Sequence, residues 1–292
     1  IEKAFVLEPA DGQPARLVLD LAATDRETFL RTIALDNHPT RKLPAKPAEA
    51  ASGDPRPLIV IDPGHGGIDA GTKAASGEAE KAIVLEFAKT LRERIEKSGK
   101  YRVAMTRNDD TFVPLPERVR FARALKASLF ISIHADYLPR SEGAAQGATV
   151  YTLSDNASDS EAARLAEAEN KADVIAGVDL SSEPNDIADI LIDLAQRETR
   201  TFSLQFAQTL VGELKTAARL HKHPMKSAGF MVLRAPDVPS VLVELGYVST
   251  KEDLKELLSA DWRSRTADAV ARAADAFLAP RIAGAGLAGR PN

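Results

Sequence analysis

The sequence predicts an α/β fold: a single domain with a mostly parallel, twisted sheet of roughly six strands flanked by helices, plus an inserted helical segment. Three observations predict it. Short continuous apolar runs, such as LIVID from Leu58 and SLFISIHAD from Ser128, read as strands buried on both faces. Strand and helix then alternate along the chain, which calls for right-handed crossovers and a doubly wound sheet. Between Ser154 and Lys222 that rhythm stops, and more helix follows than one crossover needs.

The elements follow in order. Residues 1–24 end in ARLVLDL, a short strand too small to make a domain, which reads as the end of something that precedes it. Residues 25–56 form a linker: Pro39, Pro44, Pro47 and Pro55 fall within it and Pro57 follows. LIVID is the first buried strand, and PGHGGIDAGT after it is a Gly-rich loop. EAEKAIVLEFAKTLRERIEKSG reads as a helix with Ile83, Phe87, Leu91 and Ile95 on one face, and Gly99 stops it. YRVAMTR is a strand, and LPERVRFARALKA is a helix with Pro116 suited to its first turn. SLFISIHAD, GATVYTL, GFMVL and SVLVELGYV supply four more strands. TADAVARAADAFLA closes the domain as a helix near residue 280, and 281–292 read as a loose tail.

Composition narrows the function classes. Lys+Arg is 38 against Asp+Glu 42, a net charge of −4, so the basic footprint of a nucleic-acid module is missing. Hydrophobic residues make up 44%, enough for a sizeable core. No apolar stretch approaches the ~18–20 residues of a transmembrane helix. The chain opens at Ile1 without a methionine or a signal peptide, and reads as a fragment. With no cysteine, thiolate and disulfide chemistry are excluded, and any metal must be held by histidine and carboxylate.

Functional groups of an open α/β sheet collect beyond the carboxyl ends of its strands. Of the five histidines, His65 lies just after the LIVID strand and His134 ends the SLFISIH strand. Glu244 ends the SVLVE strand, and Glu80 opens the helix after the Gly-rich loop, within reach of the same rim. Two histidines and one carboxylate suit a catalytic zinc with a position left for water, and a second carboxylate can take the water's proton. A Gly-rich loop after a strand can also cradle phosphate, but GHGGIDAG lacks both the G-x-G-x-x-G register and the lysine of a P-loop. His221 and His223, in the short basic turn HKHP, read as surface residues, and His38 belongs to the linker.

The blocks IVIDPGHGGIDAG, EAEK, FISIHAD and VLVELGYVS, in this order, resemble the zinc-dependent N-acetylmuramoyl-L-alanine amidases of the Amidase_3 type, the cell-wall amidases of bacterial cell division. The resemblance covers residues 57–278. It implies a catalytic domain over 57–280, zinc held by His65, Glu80 and His134, and Glu244 as the catalytic carboxylate. The family often has Asn two residues after the second histidine, where this chain has Asp136. The implied substrate is peptidoglycan, cut between the lactyl group of N-acetylmuramic acid and L-alanine during daughter-cell separation. That places the work in the periplasm or otherwise outside the cytoplasmic membrane. Residues 1–24 resemble the end of an AMIN-type targeting domain. A zinc peptidase acting on stem peptides and a non-catalytic wall-binding module are the alternatives.

The insertion, 154–200, carries one more signal. Ala162, Leu165 and Ala166 form an apolar stripe, and its continuation lands on Glu169 and then Asp173, while Glu161 and Glu167 lie nearer the polar side. A carboxylate on the packing face is costly unless it is paired or binds metal. Either the helix end reaches solvent or an arginine, or Glu169 takes the open zinc position. Division amidases with an inserted helix are autoinhibited in the second way and are switched on by a LytM-domain activator, so the resemblance implies a protein partner. The apolar face Ile187, Ile190, Leu191 and Leu194 is a candidate dock for it; core packing is the other reading.

Overall fold

The computed structural model describes residues 3–7, 16–20, 54–136, 146–175 and 189–288, with side chains for 54–136, 146–173 and 196–281. The chain divides into two units, residues 1–53 and 54–292. In the first, β1 (Lys3–Leu7) pairs antiparallel with β2 (Arg16–Asp20), Phe5 opposite Val18. The strand read in ARLVLDL is β2, and β1 is an additional one. The rest of that unit, with His38 and most of the proline-rich linker, lies outside the described residues.

The second unit holds a six-stranded sheet in the order β4-β3-β5-β8-β6-β7. Its strands are β3 (Leu58–Pro63), β4 (Arg102–Met105), β5 (Leu129–His134), β6 (Ala148–Leu153), β7 (Leu220–Ala228) and β8 (Ser240–Glu244). All neighbours are parallel except β6 and β8. The helices are α1 (Glu80–Lys97), α2 (Leu115–Ala124), α3 (Ser160–Glu169), α4 (Ala172–Ile175), α5 (Asp189–Leu214), α6 (Lys251–Leu257) and α7 (Ala260–Ala288).

Period-two alternation splits the core into two layers. Ile59 and Ile61 face one side, packed with Phe87 and Leu91 of α1, Phe206 and Leu210 of α5, and Val270 and Phe277 of α7. Leu58 and Val60 face the other, with Leu115 and Ala122 of α2, Ala162 and Leu165 of α3, and Phe230. The long α5 is therefore the crossover between β6 and β7, and α3 and α4 belong to the insertion. The candidate dock falls largely outside the description: Ile187 is not described, and the side chains of Ile190, Leu191 and Leu194 are not.

Three local expectations need correction. GFMVL is not a strand: Met231–Leu233 is a turn of 3-10 helix, and the strand is β7, which starts in the expected HKHP turn. The reason is position. β7 is an edge strand with Pro224 inside it and a register irregularity against β6, so it lacks the apolar run of a central strand. His221 is consequently buried, not on the surface. Last, α7 continues past Pro280 to Ala288, so residues 281–288 are helical where a loose tail was expected.

Candidate metal centre and active site

The three strands whose ends carry chemistry are neighbours. β3, β5 and β8 lie side by side and parallel, with Pro63 opposite Ile133 and His134 opposite Glu244. Whatever leaves their carboxyl ends must meet at one rim. After β3 the chain turns through His65, whose φ of 60° is left-handed. For a residue with a side chain that conformation is unfavourable and needs support from its surroundings.

Two buried arginines give that support. Arg118 Nη1 donates to Pro63 O at 2.8 Å and to Asp62 Oδ1 at 2.7 Å, and its Nη2 donates to His65 O at 2.8 Å. Arg107 donates to Pro63 O at 2.9 Å and to Gly64 O at 2.7 Å. Asp62 also accepts from Thr106 and Ser132. Burial works against its charge, but Arg118 and the two hydroxyls hold its carboxyl below the usual range.

Four side chains converge at the rim. His65 Nε2 lies 3.0 Å from Glu80 Oε1 and 3.8 Å from Glu169 Oε2. His134 Nδ1 lies 3.4 Å from Glu80 Oε1 and 3.2 Å from Glu169 Oε2. One ligand atom each from His65, His134 and Glu169 falls within 4.8 Å of the others. All four residues are buried, Glu80 fully. Yet His65 Nε2 and His134 Nδ1 make no hydrogen bond among the described residues. Buried polar atoms normally have partners, and two unpaired imidazole nitrogens facing two carboxylates are donors of the kind that could hold a divalent cation. A cavity of about 10 Å³ lined by His65, His134 and Glu169 leaves room for one water-sized particle.

The donors are aimed by their neighbours. Asp69 Oδ2 lies 2.8 Å from His65 Nδ1, which leaves Nε2 to face the centre. Asp69 Oδ1 accepts from Gly71 N at 3.0 Å. Glu80 accepts from Ala135 N at 2.9 Å and from Thr72 N at 3.0 Å. Glycine is required close by. A Cβ on Gly64 would run into the His134 ring, and one on Gly71 would lie 2.7 Å from His65 Cδ2 and 2.8 Å from Glu80 Oε2. For the side chains alone, burial opposes protonation of His65, but Glu80, Glu169 and Asp69 outweigh it and raise its pKa well above the ordinary value.

Glu244 is fully buried, one strand over from His134. Its Oε2 accepts from Asp136 N at 3.0 Å, while Oε1 has no partner among the described residues. Burial pushes this carboxyl well above the ordinary range, and Asp136, Glu80 and Glu169 add to the effect. Asp136, in turn, accepts from Thr72 Oγ1 at 2.9 Å.

The inserted α3 brings the fourth carboxylate. Asp159 caps it by accepting from Ala162 N at 2.8 Å. Ala162, Leu165, Ala166 and Glu169 are the buried stripe, and Glu167 is exposed with Lys171 at 2.7 Å. Asp173 is fully buried. Glu169 therefore faces the histidines, not solvent or an arginine. Asp62, Asp69, Arg107 and Arg118 were not read as functional from the sequence; Asp62 and Asp69 lie in the block IVIDPGHGGIDAG, Asp69 within the Gly-rich loop, and that placement was their signal.

Residues 59–276 match the family Amidase_3, N-acetylmuramoyl-L-alanine amidase. The chain is 36% identical over 286 residues to N-acetylmuramoyl-L-alanine amidase AmiC of Escherichia coli O6:H1, a match covering 94% of this chain and 68% of that one. It is 38% identical over 228 residues to N-acetylmuramoyl-L-alanine amidase AmiA of Escherichia coli K12, covering 78% of each. Among solved structures it is similar to N-acetylmuramoyl-L-alanine amidase AmiC2 of Nostoc punctiforme, with a TM-score of 0.54 and 26% identity over 78% of this chain and 99% of that one. The chain belongs to the Amidase_3 family of N-acetylmuramoyl-L-alanine amidases.

Proposed function

We propose that this chain is a zinc-dependent amidase of peptidoglycan, cutting the amide between N-acetylmuramic acid and L-alanine, and that its own inserted helix holds it off. The observation that carries the reading is the pair of buried nitrogens, His65 Nε2 and His134 Nδ1, that make no hydrogen bond among the described residues and face Glu80 and Glu169. His65, Glu80 and His134 would hold zinc, since all three stand on the sheet rim of the domain itself, with His65 aimed by Asp69 and Glu80 by the N–H groups of Ala135 and Thr72. Glu169 comes from the insertion and would fill the position the reaction needs.

When bound, zinc supplies Lewis-acid polarisation of the scissile carbonyl and a water pKa lowered to roughly 7. Glu244 takes the water's proton and delivers it to the leaving amine. Asp136 N–H holds Oε2 of Glu244, so Oε1 is the atom that moves the proton. Its burial raises the carboxyl above the ordinary range, which makes it a stronger base than a solvent-exposed glutamate. Water and substrate have to enter where Glu169 sits, so turnover requires Glu169 to leave. A protein activator of the LytM-domain type would bring that about.

The family and the named relatives support amidase action on peptidoglycan; the proposal places that action outside the cytoplasmic membrane, in daughter-cell separation. Among the described residues no helix is long and apolar enough to cross a membrane. Residues 57–280 would be the catalytic domain, 25–56 a linker and 1–24 the end of an AMIN-like targeting domain. The test is digestion of purified sacculi by the zinc-loaded chain, with products identified by mass spectrometry. Intact stem peptides beginning at L-alanine support the amidase. Cleaved stem peptides would mark a peptidase, and binding without products a wall-binding module. A Glu169→Ala variant, or a chain lacking 155–200, that is no faster than the parent would remove the self-block.

A further inference from the structure

The inserted helix is held differently at its two ends. At the base, Glu161 accepts from Tyr247 Oη at 3.1 Å and pairs with Lys226 Nζ at 2.8 Å. Lys226 Nζ also lies 3.3 Å from Asp159, and its side chain is only 2% exposed. The middle contributes two alanines and one leucine, Ala162, Leu165 and Ala166. At the tip, Asn170 Nδ2 donates to Gly229 O at 2.9 Å, and its Oδ1 accepts from Met231 N at 2.8 Å. Asp173 Oδ1 accepts from Leu115 N at 2.9 Å, capping α2, whose own preceding residue Pro114 provides no side-chain cap.

These holds are unequal in what breaking them leaves behind. Pulling Glu161 away would take the nearer of two carboxylates from the buried ammonium of Lys226 and leave it only Asp159 at 3.3 Å, which is expensive. The tip bonds go to backbone groups that water can satisfy once the helix lifts. The tip also carries a built-in cost, because Asp173 Oδ2 is buried without a partner among the described residues. α2 does not depend on Asp173 alone, since Arg118 ties it to Asp62 and to the carbonyls of Pro63 and His65.

We infer that Asn170 and Asp173 form a clasp holding Glu169 over the His65–His134 pair, and that α3 pivots on its Lys226–Glu161–Tyr247 base when the clasp opens. This rests on the reading that Glu169 blocks the site. Glu161 and Glu169 are about 12 Å apart along the helix axis, so a tilt of about 20° carries the tip some ~4 Å. That exceeds what the 3.2 Å and 3.8 Å contacts of Glu169 with His134 and His65 tolerate.

The experiment is hydrogen exchange along α3 in the zinc-loaded chain, together with hydrolysis of purified sacculi, for the parent, Asn170→Ala, Asp173→Ala, Asp173→Asn and Glu169→Ala. Asn170→Ala and Asp173→Ala should each speed exchange at residues 166–170, and hydrolysis, by about tenfold, while Ala163 keeps the parent's protection. Asp173→Asn retains an acceptor for Leu115 N–H and should stay near the parent, which separates the bond from a general loosening of the fold. If Glu169→Ala is faster than the parent but the two clasp variants match the parent in exchange and rate, the clasp is wrong and the block stands. If Glu169→Ala is no faster, the block falls, and the clasp with it. Exchange that rises equally from Ala163 to Asn170 overturns the pivot.

Discussion

Asp69 and His65, four residues apart on one loop, meet at 2.8 Å between Oδ2 and Nδ1. Both are buried. The bond selects the tautomer with hydrogen on Nδ1 and turns Nε2 toward Glu80. Asp69→Ala removes the acceptor without replacing a proposed ligand. Zinc affinity, read by competition with a chromophoric chelator, should fall roughly 10- to 100-fold. Unchanged affinity would mean that the loop backbone alone orients the ring.

Gly71 makes a steric prediction about the same nitrogen. Its φ is 61°, and a Cβ there would press on both His65 and Glu80. Gly71→Ala should lose most zinc binding, because the two donors are pushed apart. The control is the melting temperature of chelator-treated protein, which should fall far less than the loss of zinc binding would suggest.

Arg118 and Asp62 form a buried pair beneath the loop, 2.7 Å apart. Arg118→Met strands the carboxylate and should cost about 3–5 kcal/mol in urea unfolding. The pH dependence gives a second reading. In the parent, Asp62 is held below its unfolded value of ~3.9, so its contribution is complete above that pH and is lost as pH falls further. With the arginine gone, burial raises the carboxyl instead. The sign then reverses: the variant recovers part of its lost stability as pH drops from 7 toward 5. A parallel shift of both stability curves would contradict the pairing.

The legibility of these parts in the sequence followed burial and strand position. β3, β5 and β8 are central strands buried on both faces, so their apolar runs stand out, and the histidines and Glu244 follow from where those runs end. Glu80 could be placed at the rim from its position after the Gly-rich loop, but naming it as the ligating carboxylate needed the motif, because a glutamate opening a helix otherwise reads as an ordinary first-turn acid. Glu169 was visible because the stripe Ala162–Leu165–Ala166 points at it. Arg107 and Arg118 were not visible, since an arginine beside a strand or on a short helix carries no mark of being buried. β7 was hidden for the opposite reason: an edge strand interrupted by Pro224 and rich in Lys and His has a polar sequence although His221 and Lys226 within it are buried.

Glu80 and Glu244 are both fully buried carboxylates at the same rim, and a pair of substitutions separates their proposed roles. Glu80 touches both imidazoles, at 3.0 Å and 3.4 Å, and its oxygens take the N–H groups of Ala135 and Thr72. Glu80→Gln replaces one anionic donor with an amide and should lower zinc content per chain, measured by plasma mass spectrometry after dialysis. Glu244 keeps one oxygen on Asp136 N–H, and the other has no partner among the described residues. Glu244→Gln preserves its shape and should leave zinc content at the parent's level, while hydrolysis falls roughly 10²- to 10⁴-fold, as expected when a general base is lost. Removing the block with Glu169→Ala in the same chain should not restore that rate, because access and proton transfer are separate requirements. Zinc loss in Glu244→Gln would instead make Glu244 a ligand and leave the proton acceptor to be found elsewhere at the rim.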